Sequence, residues 1–256
     1  MKILFIGDIV SRPGRETVKK VLPGVKKEEN IDFVIANAEN LAHGRGATVG
    51  TIEEMQAVGV DFFTGGDHLF WHEGFDVDIN TLPVVRPANY PDTVPGEGHK
   101  VVELGGTKIL IVNLMGQTFI NEPLSNPFIK ADEILDKFKN EKIDIKLVEF
   151  HGEASSDKVA MGFYLDGRVD AVVGTHTHIP TCDEKLLPKG TMFVGDIGMT
   201  GCIDSVLGVK KEIILDRVVR AKKQKFEWET IGRAEFRSVL VDTEKKEIRR
   251  VDVKQY

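Results

Sequence analysis

The ten residues from Val169 to His178 read Val-Asp-Ala-Val-Val-Gly-Thr-His-Thr-His, a short apolar run closed by a glycine and two imidazoles. Such a run, ending in Gly and polar residues, is the pattern of a buried strand in an α/β fold. If the chain stays extended past Thr175, His176 and His178 project to one face, because strand side chains alternate with period two. Four other apolar runs end in the same way. Residues 2–6 lead into Gly7-Asp8, residues 32–36 toward Glu39-Asn40, and residues 60–63 into Gly65-Gly66-Asp67-His68. Residues 145–150 lead directly into His151. Ligands of open α/β sheets bind beyond the carboxyl ends of the strands, so five such ends converge on one candidate site.

Taken singly, each residue has an ordinary structural explanation. Asp8 suits a helix cap or turn, Glu39 a solvated loop, and Asp67-His68 an Asx turn. His151 alone reads as a hydrogen-bonded structural histidine. Their joint occurrence favours metal chemistry, since imidazole and carboxylate together suit Mn, Fe, Co, Ni or Zn. Two ions about 3.5 to 4 Å apart could each take one of His176 and His178. Glu39 and Asn40 are adjacent, so both reach one cluster only if the chain turns there, which Gly44 and Gly46 permit. His43, His72 and His99 lack comparable support and read as surface residues or as partners of the ligands. The segment His43-Gly44-Arg45-Gly46 is not a P-loop, and no Gly-x-Ser-x-Gly elbow is present.

Helical stretches separate the strands. Residues 15–30 read as a helix interrupted at Pro23-Gly24, and residues 51–58 as a second. Residues 127–140 follow, with Phe128, Ile129, Ile134, Leu135 and Phe138 able to share a face. Residues 108–113 and 191–194 are further strands. Residues 209–219 and 236–253 read as antiparallel strands, the latter turning at Asp242-Thr243-Glu244-Lys245. No repeat or flexible linker divides the chain, so one continuous domain, residues 1–256, is expected.

Composition narrows the class. Of 256 residues, 41% are hydrophobic and 29% charged, which excludes a disordered or collagen-like chain. Two cysteines, Cys182 and Cys202, cannot build a disulfide framework or a four-thiolate zinc site. The apolar run at residues 3–6 stops at Gly7-Asp8, too short for a secretory core, and nothing approaches the roughly 20 apolar residues of a membrane span. A cytoplasmic location without membrane association is therefore expected. The net charge of -6 argues against long nucleic acid as a partner but leaves room for a small anionic substrate.

Seven motifs carry a resemblance over nearly the whole chain: GDIVSRPGR (7–15), FVIANAEN (33–40), GGDHLFW (65–71), RPANYP (86–91), FHGEASSDK (150–158), GTHTHIPT (174–181) and DIGMTG (196–201). Their order and content resemble the YmdB-like branch of the calcineurin-like metallophosphoesterases. The resemblance implies an α/β fold, a four-layer α-β-β-α sandwich with mixed sheets. It also implies a dinuclear metal centre and a phosphodiesterase acting on cyclic nucleotides, the 2′,3′ type foremost, by attack of a metal-bridging hydroxide on phosphorus. Carried over residue by residue, it implies one metal on Asp8, Glu39, Asn40 and His178, and another on Asp67, His151 and His176, with Glu39 bridging. His68 would contact the substrate phosphate and protonate the leaving group. The two ions would be Fe and/or Mn, with Zn and Mg as alternatives, and self-association is implied although no heptad or apolar stripe signals it.

Two residues depart from the family pattern. Asp67 stands where the family has Asn, adding a third carboxylate to Asp8 and Glu39. It is expected to favour a higher-valent ion, such as Fe(III) beside a divalent one, or to weaken attraction for the phosphate. Gly152 stands where Ala is usual. Glu153 is a candidate for fixing an imidazole tautomer, and Arg12, Arg45 and Arg86 for phosphate or rim contacts. The ligand set fixes phosphoryl chemistry better than the leaving group, so a phosphomonoester, a cyclic dinucleotide or an RNA end remain alternative substrates. A low-turnover, metal-dependent regulatory protein is the alternative outside enzymes.

Overall fold

Side chains of the first strand, Lys2–Ile6, alternate between two destinations, and that alternation generates the layers. Ile3 and Phe5 pack with Ile109, Ile111, Leu147 and Val173 of a second sheet. Leu4 and Ile6 pack the other way, with Val18, Leu22 and Ile52 of two helices. The second sheet repeats the logic, since Leu110, Val112, Val148 and Val172 meet Ala131, Ile134, Met161 and Leu165 of two further helices. The computed structural model describes residues 1–255 and shows helix, sheet, sheet and helix in four layers, as expected.

Both sheets are mixed. The first runs, in spatial order, Glu247–Arg250, Ser238–Asp242, Lys2–Ile6, Phe33–Asn37 and Phe62–Thr64, its last three strands parallel. The second runs His99–Leu104, Thr107–Met115, Ile145–His151, Ala171–Thr175, Met192–Val194 and Lys185–Leu186, with four parallel strands at its centre. A third, four-stranded sheet was not expected. It pairs the two-residue strand Asp8–Ile9 with Met199–Cys202, then Ala234–Phe236 and Val253–Gln255.

Two expectations about elements fail for physical reasons. The helix Ser11–Glu29 runs without a break through Pro23, which with Gly24 faces solvent, while Val18, Val21, Leu22 and Val25 keep one face buried. Residues 209–219 are not a strand: Lys211–Arg220 is a helix. Glu212 lies in its first turn and Arg217 and Arg220 in its last, complementing the helix dipole, and Asp216 pairs with Arg220 at 2.8 Å. Its Leu215, Val218 and Val219 are exposed. No helix among the described residues is long and apolar enough to cross a membrane.

Candidate metal centre

Parallel strands place their carboxyl ends on one side, and the two sheets bring those ends together. Asp8 follows the first strand after Gly7, and Glu39-Asn40 forms a turn beyond Phe33–Asn37, as the pair required. Asp67 and His68 follow Phe62–Thr64, His151 closes its own strand, and His176 and His178 lie beyond Ala171–Thr175. One ligand atom each from Glu39, Asp67, His151 and His176 lies within 4.8 Å of the others, and the same holds for Asp8, Glu39 and His178. Glu39 belongs to both groups. Asn40 joins the second, with its Oδ1 3.2 Å from His178 Nε2.

The histidine pair reaches the site by a different route from the expected one. The backbone leaves the extended region after Thr175, and both His176 (φ 98°) and His178 (φ 64°) take left-handed conformations that L-residues avoid. Thr177, between them, holds the turn: its N–H and hydroxyl both donate to Asp196 Oδ2, at 3.1 and 2.7 Å. Asp196 in turn pairs with Lys158 Nζ at 2.6 Å, both groups buried. The approach is equally tight at Gly66, where a Cβ would lie 2.0 Å from Glu39 Oε2 and 2.3 Å from His151 Nε2. Only glycine lets the chain pass there, just beyond the strand Phe62–Thr64.

Each imidazole has its outer nitrogen occupied. His151 Nδ1 lies 2.9 Å from Thr175 Oγ1, whose hydroxyl donates to Glu149 Oε1 at 2.9 Å. The threonine oxygen must therefore accept from His151 Nδ1–H, which leaves the Nε2 lone pair facing the cluster. His176 Nε2 is 3.0 Å from Glu153 Oε2, the carboxylate partner expected for an imidazole, and its Nδ1 faces inward. His178 Nδ1 is 3.3 Å from the Leu207 carbonyl, so its Nε2 faces Asp8 and Asn40. The Asn40 amide is fixed too, because its Nδ2 donates to the Gly44 carbonyl at 3.1 Å and so turns Oδ1 toward His178.

The charges fit a cation. Asp8 is wholly buried, and its Oδ1 has no hydrogen-bond partner in the structure. Burial raises its pKa above the carboxylate range, against the pull of His178 and His151. Burial also disfavours charge on Glu39 and Asp67, but His151 and His68 together outweigh it at Glu39, and hydrogen bonds from His151 and His176, with the charges of His151 and His68, outweigh it at Asp67. Both are held below their ordinary values. Burial likewise opposes a proton on His151, yet Glu39, Asp67 and Asp8 push its pKa up to about 10. Carboxylates this concentrated hold a proton on an imidazole where a divalent ion would compete for the same lone pair.

His68 sits beside this cluster rather than in it. Its Nε2 is 3.4 Å from Asp67 Oδ2, its backbone N–H donates to Glu39 Oε2 at 3.2 Å, and Asn40 Nδ2 lies 3.2 Å from its Nδ1. Burial lowers its pKa, but Glu39 and Asp67 outweigh that and raise it. Of the three candidate arginines, Arg45 alone lies near the site. Arg86 is buried and donates to the carbonyls of Pro87, Val94 and Pro95, which makes it a loop staple. Arg12 lies exposed on the long helix, in a groove with Thr230 and Ile231. Cys182 is exposed, Cys202 is buried, and the two form no disulfide.

Against known proteins, a family model described as YmdB-like protein matches residues 4–256. A Bacillus subtilis (strain 168) protein named 2′,3′-cyclic-nucleotide 2′-phosphodiesterase is 44% identical over 219 residues, 85% of this chain and 82% of its own length. The chain belongs to the YmdB-like family. A crystal structure of a hypothetical protein from Thermus thermophilus superposes with a TM-score of 0.94 at 39% identity, covering all of both chains. A Mycoplasma pneumoniae structure described as a novel phosphatase gives 0.89 at 32% identity over 99% of this chain and 93% of its own. The four layers are thus the metallophosphoesterase fold, and this YmdB-like chain is a hydrolase of that class.

Reading the strand ends missed the group beneath them. Glu149 is buried two residues before His151 and accepts from Asn37 Nδ2 at 2.7 Å and from the hydroxyls of Thr64 and Thr175. Burial pushes its pKa up to about 7. Its signal was present as a lone charge inside the otherwise apolar run Leu147-Val148-Glu149-Phe150.

Proposed function

We propose that this chain is a metal-dependent phosphodiesterase that opens 2′,3′-cyclic nucleotides at a two-ion centre. The observation that carries the reading is Glu39 shared between two donor groups whose three imidazoles all have their outer nitrogens tied to acceptors. The 2′,3′-cyclic-nucleotide phosphodiesterase from Bacillus subtilis, at 44% identity, supports the substrate class. Asp8, Glu39, Asn40 and His178 would hold one ion, and Glu39, Asp67, His151 and His176 the other. Bound there, such ions supply Lewis-acid polarisation of the phosphoryl oxygens and a water acidified to neutral pH. Iron and manganese suit this mixed set of oxygen and nitrogen donors, and Asp67 as a third carboxylate favours the higher valence.

The protein's own groups supply orientation and a proton. Opening a cyclic diester leaves one ribose oxygen that must be protonated as its bond to phosphorus breaks. His68 stands at the edge of the cluster, its Nε2 3.4 Å from Asp67 Oδ2. The raised pKa keeps that ring charged closer to neutral pH, where a general acid is needed. Thr175, Glu153 and the Leu207 carbonyl hold the three ligand rings in place before substrate arrives.

The test is hydrolysis of bis-p-nitrophenyl phosphate with added Mn, using Glu39→Gln as control, followed by 2′,3′- and 3′,5′-cyclic nucleotides. Mn-dependent turnover that Glu39→Gln abolishes, with the 2′,3′ isomers preferred, is expected. No Mn-dependent turnover, or an equally active Glu39→Gln, would indicate a regulatory protein instead.

A further inference from the structure

The chain has only two tryptophans, Trp71 and Trp228, and both line a cleft of about 400 Å³ that holds none of the metal-centre residues. One wall is the loop at His43–Gly46. There Gly44 lies so close to Trp228 that a Cβ would come within 2.1 Å of the indole, while its carbonyl holds Asn40. Trp71, 60% exposed, bridges to the metal centre, with its ring 6.2 Å from that of His68 in an edge-to-face arrangement. The Arg45 guanidinium stands 4.8 Å from the Trp71 ring and 5.7 Å from Phe226, and that of Arg217 stands 5.4 Å from Phe226.

Neither arginine forms an ion pair among the described residues, whereas Arg15, Arg168, Arg237 and Arg233 all face carboxylates. In a chain of net charge -6, two guanidiniums held only by ring faces are available to an anion. One exposed and two half-buried rings beside unpaired arginines are the chemistry that binds single-stranded nucleic acid, the rings stacking a base and the cations taking a phosphate. The volume is in the range of about 300 to 1,000 Å³ usual for small-ligand sites. A cyclic mononucleotide has a single phosphate, and the metal centre would take it. The cleft has cations for a second phosphate, one nucleotide further along.

We propose that this cleft is a nucleotide subsite that binds the residue preceding a 2′,3′-cyclic phosphate, making the substrate class short oligoribonucleotide ends. The proposal rests on the phosphodiesterase reading for the reacting group and on the cleft itself for the rest. Because both tryptophans line the cleft, fluorescence reports its occupancy without catalysis. The test titrates metal-free protein with a ribodinucleotide 3′-phosphate, and compares kcat/KM for the cyclic-ended dinucleotide and mononucleotide in the metal-loaded enzyme. Saturable quenching is expected, weakened about tenfold in Arg217→Ala and in Phe226→Ala, the loss of one stacking or charge contact. A preference of about tenfold for the dinucleotide should fall to about one in both variants. Absence of quenching, quenching indifferent to both substitutions, or equal kcat/KM in the wild type overturns the subsite. Quenching without turnover of either substrate upholds the subsite and overturns the phosphodiesterase reading.

Discussion

A single hydroxyl decides how His151 presents itself. Thr175 donates to Glu149 and accepts from His151, so the tautomer at the metal side is set two groups away. Thr175→Val keeps the shape and removes the relay, and should weaken Mn binding by about 10- to 100-fold. Calorimetric titration checks this, and an unchanged affinity would show that the tautomer is set otherwise. Residue types were legible at this scale because carboxylates, an amide and imidazoles at five strand ends are rare together. The supports were not. Glu149 lies within a strand, where the reading looked for core, and the route of His176 and His178 depends on positive φ angles that period-two alternation cannot anticipate.

At the scale of elements, the buried pair Lys158–Asp196 ties a helix to the turn that carries the histidines. The helix Ser155–Leu165 supplies the lysine, and Asp196 holds Thr177 and the Gly198 N–H. Lys158→Met leaves Asp196 buried without its partner, at a cost of about 3 to 5 kcal/mol. At about 2 to 4 °C per kcal/mol for a chain of this size, Tm should fall by on the order of 10 °C, measurable by circular dichroism. A change below about 2 °C would mean the pair is dispensable. Parallel strands were readable because their apolar runs are short and end abruptly in polar residues. Residues 211–220 were not, because Ile213, Ile214, Val218 and Val219 carry strand propensity. Helical spacing puts Leu215, Val218 and Val219 on one exposed stripe instead, which a strand reading could not show.

Across the whole molecule, the sandwich follows from each central strand burying both faces, one on the opposite sheet and one on helices. That much is written in the apolar runs. The third sheet is not, since two- to four-residue strands leave no periodic signal. The layers also set the proton balance of the centre. The folded-state pKa of His151, at about 10, exceeds the roughly 6.5 of an unfolded chain. In metal-free protein this stabilising contribution is complete below about pH 6.5 and is lost as pH rises through about 10. A metal must displace that proton near neutral pH, so binding should release about one proton per chain and tighten as pH rises. Calorimetry in buffers of different ionisation enthalpy measures the release, and a value of zero would contradict the charge balance described.

The most direct measurement is turnover of a 2′,3′-cyclic nucleotide as Mn is added stepwise to metal-free protein. Glu39 lies in both donor groups, so activity should rise until two ions are bound per chain and vanish in Glu39→Gln. A plateau at one ion, or full activity in metal-free protein, would contradict the shared-carboxylate centre.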